Sequence, residues 1–120
     1  MSDSEQSGWR NSTIDEAEAQ AHPETADAVA AIERLRASID QVDDGIIRLL
    51  AQRFSYTQQV GEWKARAGFA PADANREHQQ VARLRALAEQ VGLDPDIAEG
   101  YHTFVVTESK NRHQRIADAH

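Results

Sequence analysis

Two basic residues, Arg53 and Lys64, stand eleven positions apart in a stretch whose apolar residues recur at helical spacing. Eleven residues make close to three full turns, so on a helix both project from one face, about 16 Å apart along the axis. Their reach towards each other leaves a gap the size of a small dianion. Arg53 is the more demanding of the two, because it occupies a place in the apolar series where an aliphatic residue belongs. A guanidinium there is costly unless something anionic meets it. Arg36, seventeen residues earlier, lies about 25 Å away and is rotated by about 100°, so it cannot join the same site from the same helix. In an antiparallel or crossed pair of helices it reaches the partner's site instead. Taken singly, Arg36 and Lys64 are more simply solvated charges beside the seam.

Further along, Asp73, Arg76 and Glu77 fall at a helix start, where free backbone N–H groups and the macrodipole favour anions. Asp73 and Glu77 also read as an ordinary cap and first-turn acid. Arg76 is disfavoured by the dipole, which hints at another use. Ser109 and His113 are four apart and share a helix face among Phe104, Val105 and Ile116, where a lone His is more often packed or solvated than a ligand. His78 and His102 have no partner at a ligand spacing, His120 adds none and the chain has no Cys, so no metal site is expected. A Ser–His–Asp triad is not expected from helix-borne residues without an oxyanion loop.

The element that must position these groups runs from about Ala30 to Arg66. Ile32, Leu35, Ile39, Val42, Ile46, Leu49, Arg53, Tyr56, Val60 and Trp63 alternate steps of three and four, which predicts a helical seam over five heptads. Such a helix is roughly 55 Å long, more than one short chain can cover, so the seam predicts an interlocked homodimer. The helix is expected to start a few residues after Pro23, capped by Thr25 or Asp27, and to close at Gly68. A second helix is expected from Asp73 to Gly92, with Val81, Leu84, Ala88 and Val91 inward. The third opens with Asp94 as cap and Pro95 as first residue, with Ile97, Tyr101, Phe104, Val105 and Ile116 inward. Gly100 is a place for a close helix crossing. No strand, repeat or Gly-rich phosphate loop is visible, and the fold expected is all-α, one long helix and two shorter ones.

Charge is unevenly spread. Residues 1–27 hold seven acids against Arg10, leaving thirteen acids and twelve bases for the rest, so the total of −7 describes the tail more than the folded part. This polar segment, poor in branched aliphatics, is expected to be a disordered acidic tail, with Trp9 as its lone aromatic. An anionic small molecule is compatible with the near-neutral remainder. Nucleic acid is not expected, since no basic stripe with interleaved aromatics occurs. Without a secretory pattern, a membrane-length apolar run or cysteine, the expectation is a cytoplasmic protein.

Leu35-Arg36-x-x-Ile39-x-x-Val42-Asp43, Leu49-Leu50-Ala51-Gln52-Arg53, Val60-Gly61-x-x-Lys64, Asp73-x-x-Arg76-Glu77 and Glu108-Ser109-x-x-x-His113 together resemble the all-helical chorismate mutases of the AroQ class. The resemblance covers about residues 30–116 and implies a mutase domain over residues 28–120. It makes Arg53, Lys64 and Arg76 the in-chain cations of the pocket, with Arg36 entering from the other protomer. It gives Glu77 the ring hydroxyl, Asp73 a supporting role, and Ser109 a substrate carboxylate. His113 stands where the family has Gln or Glu beside the ether oxygen, a departure that bears on the pH profile. The implied reaction, chorismate to prephenate, needs no cofactor. Isochorismate-pyruvate lyase and aminodeoxychorismate mutase share the fold and are the alternatives. A non-catalytic helical dimerisation or regulatory module binding a shikimate-pathway synthase is the alternative of another class. Some small mutases of this class are activated by complex formation with the first synthase of that pathway.

Overall fold

The computed structural model describes residues 22–119; the segment up to residue 21, Trp9 included, and His120 lie outside the described residues. Three helices follow one another, α1 (Pro23–Ala67), α2 (Ala74–Val91) and α3 (Pro95–Ala119), and no strand occurs among the described residues. No helix among them is long and apolar enough to cross a membrane. The chain divides into two units, one ending at Ile47 and the other beginning at Arg48.

α1 starts earlier than Thr25 or Asp27, with Pro23 as its first residue, so residues 23–27 are helical rather than part of a tail. Proline suits a first turn, since its missing N–H has no intrahelical partner there and its φ is already helical. The His22 carbonyl accepts from the Ala26 N–H at 2.9 Å to close that turn. In the first unit the seam residues Leu35, Ile39 and Val42 are exposed, and so are Leu49, Tyr56 and Trp63 in the second. The apolar pattern is therefore present on the helix and left uncovered by each unit's own packing.

Within the second unit α2 and α3 pack together. Arg85 on α2 donates to Asp96 at 3.0 Å and to Glu99 at 2.8 Å on α3, an exposed tie of small energetic weight. Asp94 accepts from the Asp96 N–H at 2.9 Å, and Pro95 opens α3 as its spacing predicts.

The inward face of α3 differs from the expected one. Its buried residues are Ala98, His102, Val105, Ser109 and His113, whereas Ile97 and Phe104 are each 58% exposed and Tyr101 is exposed too. Of the five residues expected inward, Val105 alone is fully buried. Ile97, Tyr101 and Phe104 form a second stripe about 100° round the helix from Ala98, His102 and Val105. Ranking by hydrophobicity selects that stripe, while the packing within the unit selects the smaller and more polar one. Gly100 makes no close crossing among the described residues, since a side chain built there meets nothing within 4 Å.

Candidate active site

Helix ends set the first group of polar side chains. Gly68, with φ of 79°, closes α1; the Phe69 N–H donates to the Lys64 carbonyl at 2.9 Å and the Gly68 N–H to that of Ala65 at 3.4 Å, the paired bonds of a glycine-terminated helix. The chain then turns back, and Lys64 Nζ donates to the Pro71 carbonyl at 3.1 Å. Asp73, extended at φ −141° and ψ 90°, caps α2 by accepting from the Arg76 N–H at 3.1 Å. That cap places Arg76 and Glu77 in the first turn. Glu77 pairs with Lys110 Nζ from α3 at 2.9 Å.

These elements surround a cavity of about 180 Å³ that lies wholly in the second unit. A cavity of about 150 Å³ accommodates benzene, so there is room for a substituted six-membered ring. Arg53, Lys64, Asp73, Arg76, Glu77, Ser109 and His113 all line it, seven of the eight residues singled out by the sequence. Arg36 belongs to the first unit, where it makes an exposed ion pair with Glu33 at 3.7 Å. The lining holds four basic residues, Arg53, Lys64, Arg76 and Lys110, against two carboxylates, Asp73 and Glu77. An excess of two positive charges in a partly enclosed space suits a dianion.

Among the described residues, three buried polar atoms of the lining have no hydrogen-bond partner: Arg53 Nη1, Ser109 Oγ and His102 Nε2. Leaving such a group unsatisfied costs about 1–3 kcal/mol, more for a charge. Proteins tolerate that cost where a ligand completes the bond. Among the described residues, Nη1 of the seam arginine thus has no partner, and Arg53 lines the cavity where an external anion fits.

His113 is held differently. Its Nε2 lies 2.6 Å from the Thr57 carbonyl of α1, and a carbonyl only accepts, so Nε2 carries the proton. A neutral ring then has a lone pair, not a donor, at Nδ1. The ring fits because residue 61 is glycine: a Cβ there would stand 2.5 Å from His113 Cδ2. Gly61→Ala is expected to displace the imidazole and break its bond to Thr57. Overpacking costs about 1–3 kcal/mol and offsets the gain of about 1 kcal/mol in helix propensity. Thermal unfolding should show unchanged or lower stability; an unfolding temperature raised by the full helix-propensity gain would show that the His113 ring moves aside at no cost.

His102 is a residue that sequence spacing passed over as merely lacking a metal partner. Burial lowers its pKa, and the nearby Arg53 charge lowers it further, against the opposing influence of Glu77 and Glu99. It therefore sits in the wall as a neutral ring. Thr57, whose carbonyl orients His113, and Gly61, which admits it, were likewise not assigned roles. The steps of seven from His102 to Ser109 and four to His113 were the available signal.

The family model described as chorismate mutase type II matches residues 35–114, two thirds of the chain. The T-protein of Enterobacter agglomerans is 38% identical over 81 residues, which are 68% of this chain and 22% of that protein. A chorismate mutase of Methanocaldococcus jannaschii is 29% identical over 76 residues, 63% of this chain and 77% of that one. The chain thus matches about a fifth of the T-protein's length and about three quarters of the archaeal protein's.

Proposed function

The chain belongs to the chorismate mutase type II family, and from that membership and the chemistry of the cavity we propose that it converts chorismate to prephenate, in the biosynthesis of phenylalanine and tyrosine. The observation that carries this reading is the buried, unpartnered Arg53 Nη1 in a cavity with two more basic than acidic residues. Chorismate is a dianion on a six-membered ring. Its rearrangement is intramolecular, so the protein needs to hold the enolpyruvyl group over the ring and to stabilise negative charge on the ether oxygen as the C–O bond breaks. Arg53 and Arg76 serve as carboxylate partners, Ser109 Oγ supplies a further donor to a carboxylate, and Glu77 takes the ring hydroxyl. Asp73 holds the α2 start that presents Arg76 and Glu77. Lys64, kept near the cavity by Pro71, donates to the ether oxygen.

Incubating the purified protein with chorismate, and separately with isochorismate, tests the proposal. Prephenate from the first is the expected product; pyruvate and salicylate from the second, without prephenate, would assign the chain to the lyases instead. Repeating the assay with aminodeoxychorismate separates the remaining analogue. Adding the first synthase of the shikimate pathway shows whether a complex raises the rate.

The proposal includes a homodimer in which Arg36 enters the partner's cavity. The exposed seam residues of α1 support it, because contiguous apolar surface of that kind marks an interaction site. Light scattering at micromolar concentration should give twice the 13.4 kDa chain mass. A folded monomer would contradict it.

His113 stands beside the ether oxygen in this scheme, its ring anchored through Nε2 to the Thr57 carbonyl. His113→Gln is expected to raise turnover of chorismate, since an amide presents a donor where the anchored neutral ring presents a lone pair. Identical kcat and KM for the two proteins would exclude His113 from the chemistry.

A further inference from the structure

His102 is 6% exposed, lines the cavity and has its Nε2 without a partner. Nothing in the proposed reaction scheme uses it. It lies seven residues before Ser109 on α3, nearly two full turns, so the two share a face about 10 Å apart along the axis. That separation is too great for both to hold one carboxylate. The charged groups whose fields reach its ring come from all three helices: Arg53 from α1, Arg76 and Glu77 from α2, and Glu99 from α3 itself. His102 and Arg53 thus line one cavity within reach of each other's charge, while Ser109 lies about 10 Å further along α3.

We propose that His102 is a substrate-binding residue whose Nε2–H donates to the same carboxylate that Arg53 holds. The inference rests on the dianion reading of the cavity. A carboxylate accepts several hydrogen bonds, and one guanidinium fork leaves lone pairs free for a further donor. A neutral imidazole completes the set without adding charge. The Arg53 guanidinium alone would leave those lone pairs facing a buried wall. An aliphatic or phenyl side chain in place of His102 would fill the space and offer them nothing.

The test has kinetic and spectroscopic arms. His102→Phe should raise KM for chorismate about ten- to a hundredfold, the worth of a hydrogen bond to a charged group, with a smaller change in kcat and helical content retained. His102→Gln, whose amide nitrogen approaches the position of Nε2, should recover most of that loss. A folded Phe variant with unchanged kcat/KM, or a Gln variant as impaired as Phe, would overturn the proposal. If the Phe variant does not fold, the wild-type protein with labelled histidine decides: titrating prephenate should shift the His102 ring nitrogens and raise the ring's pKa, because the bound dianion offsets the Arg53 charge. Ring signals unmoved at saturating prephenate would overturn it as well. A wild type that binds prephenate at His102 but does not turn over chorismate would defeat the mutase reading and leave this one standing.

Discussion

Arg53→Ala is expected to lower kcat/KM for chorismate by about three orders of magnitude while the helical circular dichroism stays unchanged. Removing one partner of a buried, hydrogen-bonded charge pair costs about 2–5 kcal/mol, and each 1.4 kcal/mol is a factor of ten. The unusual part of the expectation concerns stability. In the free protein Arg53 Nη1 is buried and unpartnered, so it contributes a desolvation cost with no compensating bond. Arg53→Met, which retains bulk without charge, should therefore unfold at the same temperature as the parent or higher. An arginine present to tie helices together would behave oppositely. A lower unfolding temperature together with retained turnover would make Arg53 structural.

Arg36→Ala should be nearly as damaging, although Arg36 lies in the other unit and its ion pair with Glu33 is exposed. An exposed pair of that kind is worth a few tenths of a kcal/mol and does not explain a large loss. The cause in this account is that Arg36 completes the partner's cavity. Mixing inactive Arg36→Ala with inactive Arg53→Ala and allowing subunits to exchange tests it. Half the dimers are then mixed, and each mixed dimer has one site with both arginines, so about a quarter of the parent activity should return. Recovery near zero, with exchange verified, would show that Arg36 does not act across the dimer.

Local chemistry made much of this structure legible in advance. Asp73, Gly68, Gly92, Asp94 and Pro95 each satisfy or remove particular unpaired backbone groups at helix ends, and all five act where their spacing predicts. Arg53 stood out because a charge in an apolar series has few explanations. Seven site residues converge because helix periodicity fixes which side chains share a face. What stayed hidden depends on packing between helices. The inward face of α3 lies one residue away from the apolar stripe, since that stripe is the more hydrophobic but not the one turned to α1 and α2 within its unit. His102 was concealed for the same reason. The role of Gly61 becomes visible only when the His113 ring, fifty-two residues later, is seen against it. Thr57 acts through its carbonyl, which every residue type carries, so no side-chain pattern could have marked it.

The measurement that bears most directly on the whole account is a crystal structure of the protein grown with prephenate. It should show the product in the cavity of the second unit, with a carboxylate within hydrogen-bond distance of Arg53 Nη1, the other polar end of the ligand near Ser109 Oγ, and a second protomer's Arg36 closing the site. Prephenate bound elsewhere at full occupancy, with Arg53 Nη1 still unpartnered, would contradict it.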